Sequence, residues 1–294
     1  MKFQSILTIS LCLSICLSLS IGLTTVLSAD EPSEPQGELD QEEIPKRIIG
    51  KDGTPMVLIP AGEFQMGNRW EDASENPNRG KGYFKDQQPV HTVYVDAFYM
   101  DIYEVTNAQH QKFVEAIGHG KLCDYYKPSR YYDKPEYNQP NQPVVGLHWK
   151  AARDYCEWAG ERLPTEAEWE KAARGGLEGK RYPWGDSINP KQANYGHHVG
   201  QATPVGSYPS ENSYGFYDMM GNVSEWCADW YSPDYYQLSP KHNPTGTSLE
   251  ESGERRVVRG GHFGLDPEWF SCASRRFSSE GVQTNFGFRC AKTF

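Results

Sequence analysis

The side chains best able to do covalent or soft-metal chemistry in this chain are its cysteines. There are 7 among 294 residues, and five of them, Cys123, Cys156, Cys227, Cys272 and Cys290, lie beyond residue 29. No Cys-x-x-Cys occurs and no close His/Cys cluster has zinc-ligand spacing, which argues against a structural zinc site. In an oxidising compartment most of the five should pair, and an odd count leaves at least one over. Two further stretches invite binding chemistry. Asn222-Val223-Ser224 has the form of an N-glycosylation acceptor. The tyrosine-rich stretch from Tyr125 to Tyr137 interleaves Lys127, Arg130 and Lys134, and reads either as a binding surface or as packing over a core.

The N-terminus sets the compartment in which those thiols work. Lys2 precedes a charge-free stretch, Phe3 to Ala29, and Ser28-Ala29 then meets Asp30-Glu31. Residues 1–29 therefore read as a secretory signal peptide cleaved near Ala29. The competing reading is an uncleaved anchor, since the stretch is long enough to cross a bilayer. The expected location is secreted, periplasmic or cell-surface, with membrane contact only through an uncleaved anchor. Residues 30–50 read as an acidic linker, because Asp30 to Glu43 holds seven acids and two prolines. The folded domain is expected over residues 51–294.

Composition narrows the rest. A net charge of −10 with no basic run gives no counterion-release grip on phosphate backbones, so nucleic acid is not an expected partner. A mean hydropathy of −0.71 excludes a polytopic membrane protein. Aromatics at 13% are too many for a disordered chain, and 28 Gly with 20 Pro favour a turn-rich α+β or β domain over a helical bundle. Few regular elements are left to position the chemistry. Met56 to Pro60 and Glu63 to Gly67 predict two strands around an Ala-Gly turn, and His91 to Val105 predicts one or two more. Thr106 with Gln109 is a capping box that opens a helix running to Gly118. His148 to Ala159 is helical, with Ala152, Tyr155, Cys156, Trp158 and Ala159 on the buried side. Thr165 with Glu168 is a second capping box, for a helix ended by Gly175-Gly176. Beyond Tyr182 the clearest strands are Arg256 to Arg259 and Phe286 to Ala291. No repeat is visible, and one domain with little regular structure is expected.

Six segments, in order, carry a resemblance. They are Met56-Val57-Leu58-Ile59-Pro60-Ala61-Gly62-Glu63-Phe64 with Met66-Gly67; Tyr103-Glu104-Val105-Thr106-Asn107; Arg162-Leu163-Pro164-Thr165-Glu166-Ala167-Glu168-Trp169-Glu170; Pro183-Trp184-Gly185; Gly215 through Trp226; and Arg259-Gly260-Gly261 with Asn285-Phe286-Gly287-Phe288-Arg289. Over residues 54 to 293 the chain resembles the formylglycine-generating enzyme (sulfatase-modifying factor) family. The resemblance implies an α+β, variant C-type-lectin-like fold with a twisted sheet near the termini and long irregular loops. Asn222-Val223-Ser224 sits inside one of the motifs, which favours a structural role over glycosylation.

The family activity implied is oxidation of a sulfatase cysteine to formylglycine, through two cysteines five positions apart that bind copper(I). Counting forward from Gly260-Gly261 places that pair at Leu265 and Phe270, and counting back from Cys272 places it at His262 and Pro267. Neither count yields two thiols, so copper is not expected. His262 and His148 stand where the family usually has other residues. Two imidazoles with Asp266 or Glu268 can bind iron or copper, which makes His262 the candidate catalytic residue; the alternative is that each merely caps a turn or a helix start. Calcium is implied at Asp218, Gly221, Val223 and Glu225, where carboxylates flank backbone carbonyls, and at a second site matching Asn194 and Tyr195. A Cys156–Cys290 disulfide is implied as well, closing a loop of about 135 residues that the chain-entropy model values at roughly 5 kcal/mol. Cys272 then pairs with Cys227 or stays free, and Cys123 is the odd thiol. The expected function is a divergent or non-catalytic family member, with a protein or peptide as the possible ligand. The alternatives are a copper-independent oxidase of protein cysteines and a lectin-fold surface binding protein. Against the last, residues 260 to 294 hold only Asn285 and no Tyr, where variable binding segments are rich in both. Relatives that make ergothioneine carry an iron-binding helical domain, for which nothing before Met56 provides.

Overall fold

In the computed structural model, which describes residues 45–69, 84–118, 134–281 and 284–294, apolar segments from the two ends of the domain meet in one sheet. Strands β1 (Arg47–Ile49), β2 (Pro55–Ile59), β5 (Phe98–Asp101) and β10 (Ala291–Thr293) lie in the order β1-β2-β5-β10, all antiparallel. Val57 faces Met100 and Ile59 faces Phe98 across the ladder, so the β-branched and aromatic side chains of β2 and β5 reach the core together. Between them, β3 (Gly62–Met66) and β4 (His91–Val95) form a two-stranded pair. A third sheet, in the order β8-β7-β6-β9, combines β6 (Ser224–Trp230), β7 (Arg255–Arg259), β8 (Arg276–Ser279) and β9 (Phe286–Gly287), with β6 and β9 parallel. The mixed sheets and short helices make an α+β domain with little regular structure, and its compact unit runs Ile44–Phe294.

Three helices pack against these sheets. The first, α1 (Asn107–Ile117), has both halves of the Thr106/Gln109 capping box and ends at Gly118. His148 is the N-cap of α2 (Trp149–Ala159), although its side chain makes no cap bond; Gly160 stops the helix in the left-handed conformation. The Thr165/Glu168 capping box opens α3 (Glu166–Arg174), which Gly175 ends. Trp149, Ala152, Tyr155 and Cys156 of α2 pack with Phe113, Trp226 and Phe288, while Trp169 of α3 lies in a larger core with Phe98, Phe216 and Phe270. Among the described residues no helix is long and apolar enough to cross a membrane.

Several expectations need correction. The acidic linker does not extend to residue 50, because β1 begins at Arg47 and pairs with β2. Phe286 to Ala291 is not one strand: β9 joins β6, β10 joins β5, and the chain changes sheets between them, at the buried Phe288, Arg289 and Cys290. The strand β6 was not expected at all. It is buried along most of its length, so it lacks the polar/apolar alternation by which a half-exposed strand is recognised. Cys156 and Cys290 are bridged, with a sequence separation of 134. Cys227 and Cys272 are not bridged; both are buried free thiols. Each is held in place by its backbone: the Cys227 carbonyl accepts from Trp149 Nε1, and the Cys272 carbonyl accepts from Arg259. The signal segment 1–29, Cys123, and the stretch with Tyr125, Lys127 and Arg130 lie outside the described residues.

Candidate functional site

The carboxylates of the Arg162-to-Glu170 motif lie on α3, which buries all nine of its residues. Arg275 clamps Glu166 through Nε and Nη2 at 2.6 and 2.9 Å. Glu170 receives Arg259 Nη2 at 2.5 Å, Arg174 Nη2 at 2.7 Å and the Gly67 amide at 2.8 Å. Burial alone would raise the Glu170 carboxyl, but Arg174 and Arg259 outweigh it and hold it below its usual range. Arg259 also donates to the carbonyls of Cys272, Ala273 and Ser274. This network is buried, and apart from Arg259 Nε its charged groups bond within it. It is framework, and it positions what surrounds it.

Next to it, Arg289 makes a two-pronged pair with Glu225, Nε to Oε2 at 2.8 Å and Nη2 to Oε1 at 2.7 Å. Trp169 Nε1 also donates to Glu225 Oε2 at 2.8 Å. Both Glu225 oxygens thus accept hydrogen bonds, near the start of the buried strand β6. Around this single arginine stand three more buried acids, Glu104, Glu211 and Asp218. Burial, followed by mutual repulsion, pushes Glu104 and Glu211 well above the usual carboxylate range, and burial pushes Asp218 up to about 6. Glu104 holds Asn222 Nδ2 and the Val223 amide; Asp218, itself at a left-handed φ of 57°, holds the Gly206 amide. Glu211 Oε2 and Asn194 Oδ1 are buried without a partner. Gly221 lies so close to the Asn194 carbonyl that a β-carbon there would come within 2.2 Å of it, which joins the two segments expected to bind calcium. Tyr195 is buried beside them, with its carbonyl accepting from the His198 amide. A surplus of buried carboxylates over one arginine, with two orphaned oxygens, fits a hard cation in charge and donor type. In that donor set Glu225 serves the arginine, and Glu211, which sequence reading missed, offers the spare oxygen.

The segment after Gly260-Gly261 is where thiol chemistry was sought. Both glycines have positive φ, 87° and 78°, and a β-carbon on Gly261 would strike Phe270 Cβ at 2.8 Å. Phe270 is buried against Tyr182 and Tyr195, and Leu265 packs on the same core. Cys272 is 1% exposed, and burial pushes its thiol up to about 12. A thiol so held is unreactive at neutral pH. His262 Nδ1 accepts the Gly264 amide at 3.1 Å, which leaves the hydrogen on Nε2. Burial, then Arg276 and His197, lowers His262 to about 4, so its imidazole is neutral at physiological pH. The ring facing His262 across Gly264 is that of His197, which sequence reading missed; a β-carbon on Gly264 would lie 2.8 Å from His197 and 3.3 Å from His262. The Gly196 and His197 amides bond the Leu265 and Phe263 carbonyls and hold the two turns together. His148 has a different neighbour, the Glu280 carbonyl, 3.0 Å from its Nδ1, so it does not belong to this group.

On another face, a groove of about 450 Å³ is lined by Trp149, Leu163, Arg153, Arg162, Glu168 and Asp96. Trp149 is braced from behind, because the Arg256 guanidinium lies 3.4 Å from its ring centre and 3.2 Å from that of Trp230. The groove is therefore preformed rather than dependent on a mobile aromatic.

With this geometry in hand, similarity to known proteins decides the family. Residues 41–294 match the family described as Sulfatase-modifying factor enzyme 1-like domain. The formylglycine-generating enzyme of Streptomyces coelicolor is 36% identical over 80% of this chain and 88% of its own length. The chain belongs to the sulfatase-modifying factor family. The serine/threonine-protein kinase pkn1 of Chlamydia caviae is 40% identical over 81% of this chain, which spans 38% of that relative's length. An inactive C-alpha-formylglycine-generating enzyme 2 of Mus musculus is 34% identical over 85% of this chain and 89% of its own. Among solved structures, PvdO from Pseudomonas aeruginosa superposes with a TM-score of 0.68 at 27% identity, covering 86% of this chain and all of that one. The sulfatase-modifying factor motifs thus mark a fold. In this chain Glu166, Glu170 and Glu225 of those motifs are joined to arginines, whereas Glu104 and Asp218 of the same motifs lie in the acid pocket without one.

Proposed function

We propose that this chain is a sulfatase-modifying factor family protein that works outside the cytoplasm as a binding module for a protein or peptide ligand, without the copper–thiol oxidation. One observation carries the reading: from Gly261 to Cys272 there is no thiol pair, Phe270 fills core space, and Cys272 is a buried thiol with a raised pKa. The family includes a member named as inactive, so loss of the reaction within this fold has a precedent. The groove suits an extended peptide, with an apolar floor at Trp149 and Leu163 and charges of both signs from Arg153, Arg162, Glu168 and Asp96 on its walls. Calcium is the proposed structural ion. Asp218 and the carbonyls of Gly221 and Val223 hold it near Glu211, and Asn194 with the Tyr195 carbonyl supplies a second site. A hard ion there neutralises carboxylates that Arg289 alone cannot.

Three experiments test this. A Cys-x-Pro-x-Arg peptide incubated with the protein, copper(I) and oxygen should keep its cysteine; an aldehyde product in the mass spectrum would overturn the non-catalytic reading. A peptide library panned on the protein should yield binders that Arg153→Glu releases, and binders indifferent to that change would move the site away from the groove. For calcium, chelation should lower the melting temperature and added calcium restore it. An Asp218→Ala variant that melts like the parent in calcium would remove the ion from this site.

A further inference from the structure

Another group of buried carboxylates lies outside the Asp218 pocket. Asp52 lies in the turn between β1 and β2, Asp101 ends β5, and Glu161 follows the glycine that stops α2. Their exposures are 5%, 0% and 8%. Asp101 Oδ2 accepts the Cys290 amide at 2.9 Å, whereas Oδ1 has no partner. Both oxygens of Glu161 are buried and without a partner. Asp52 is oriented by the Thr54 amide and hydroxyl and by the Tyr155 hydroxyl at 2.7 Å, so its carboxylate is fixed in place and faces inward. Ligand atoms of Asp101, Glu161 and Cys290 lie within 4.8 Å of one another. The Cys290 sulfur is bridged to Cys156 and offers no thiolate, so the donors that remain are all oxygen.

The backbone is built around this cluster. A β-carbon on Gly50 would meet Glu161 Oε1 at 2.6 Å, Asp52 Oδ1 at 3.0 Å and the Thr54 carbonyl at 3.4 Å. Oxygens from two distant segments thus converge on the one face of the turn that lacks a side chain. Among the described residues no lysine or arginine bonds any of the three carboxylates. Lys292 on β10 faces Glu161 and Arg289 faces Asp101, each from a distance, and Lys112 reaches the Asp52 carbonyl rather than its carboxylate. Around α3 this protein meets buried acids with arginine; here it leaves three without one. Burying carboxylates unpaired is costly, and a divalent ion coordinated by oxygen is the chemistry that removes that cost.

We infer that Asp52, Asp101 and Glu161 form a further, separate site for a hard divalent cation, calcium in an exported protein. The ion ties the turn after β1 to the end of α2 and to β5, beside the Cys156–Cys290 bridge, and so fastens the N-terminal strand to the domain. This site stands apart from the proposed Asp218 site, and the test separates the two. Terbium(III) bound here lies next to Tyr155, so excitation of the purified full chain should give sensitised emission that calcium competes away. Glu161→Gln should lower that emission and weaken calcium binding by calorimetry at one class of site at least tenfold, while Asp218→Ala leaves this class intact. Glu161→Lys, which sets an ammonium between the two aspartates, should fold and lose the same class; it serves as the second variant if the amide folds poorly. Unchanged stoichiometry and affinity in both Glu161 variants would overturn the site. So would a calcium-indifferent parent whose melting temperature rises on Glu161→Gln, since the carboxyl would then hold a proton in place of an ion.

Discussion

The α3 side of the molecule and its acid pockets both bury carboxylates, but they balance them differently. Around α3, Glu166 and Glu170 meet Arg174, Arg259 and Arg275, each pair placed with further hydrogen bonds. In the pocket of Glu104, Glu211 and Asp218 there is one arginine, and Glu225 already occupies it. At Asp52, Asp101 and Glu161 no arginine bonds the carboxylates. Removing charges from water is tolerated when the partner is equally buried and well oriented. Where the partner is missing, the chain must hold a proton or an ion. The matched region is thus complete as folded, and the unmatched ones depend on the solution.

That contrast can be broken most sharply in the matched region. Arg259→Met should leave Glu170 and Glu166 short of a cation and three carbonyls without a donor, costing about 3–5 kcal/mol in urea unfolding, the usual penalty for halving a buried pair. A loss near zero would mean that the α3 network is not the frame. Next comes pH, where the two regions should respond with opposite sign. Asp218 is raised to about 6 and Glu161 to about 7, both by burial first, so each binds its proton more tightly folded than unfolded. Their contribution to stability is complete below the ordinary carboxylate range and is lost as pH rises through 6 to 7. In chelator, the melting temperature should therefore be lower at pH 8 than at pH 5.5, and calcium should narrow the gap. Glu170 is lowered, so its share is present above the ordinary carboxylate range and is lost on acidification below it. A calcium-free melting curve that is flat between pH 5.5 and 8 would contradict the unmatched reading.

Smaller effects sharpen the picture. Thr165→Ala removes the side-chain half of the capping box on α3 and should cost about 1 kcal/mol, an effect local to one helix end. The smallest effect is a labelling result. Cys227 and Cys272 should resist alkylation in folded protein and react only on unfolding, while peptide mapping without reductant should return a Cys156–Cys290 peptide. Rapid labelling of Cys272 in the native state would reopen the question of thiol chemistry on its segment.

The local features of this fold were legible because their causes are local. A capping box needs a Thr and a Glu or Gln three positions apart, and both helices so marked begin where the residues say. A left-handed stop needs glycine, and Gly160 and Gly175 supply it. The resemblance placed Cys156 against Cys290 correctly and implied the α+β class, where glycine and proline content left α+β and β both open. Where sequence reasoning went astray, the partner was far away. It did not foresee that Arg289, 64 positions on from Glu225, bonds both of its carboxylate oxygens. It paired Cys227 with Cys272 as one option, but packing holds both as free thiols.

By itself, then, the sequence determined the family, the helix ends, the strands with alternating patterns and the absence of a thiol pair after Gly261. The tertiary structure alone decided which charges meet. Glu170 finds Arg259 across 89 residues and Glu166 finds Arg275 across 109, whereas Glu161 finds neither. No spacing rule encodes such pairs, because a buried charge is satisfied by whatever the packed chain brings within about 3 Å of it, and that distance is set by the fold as a whole.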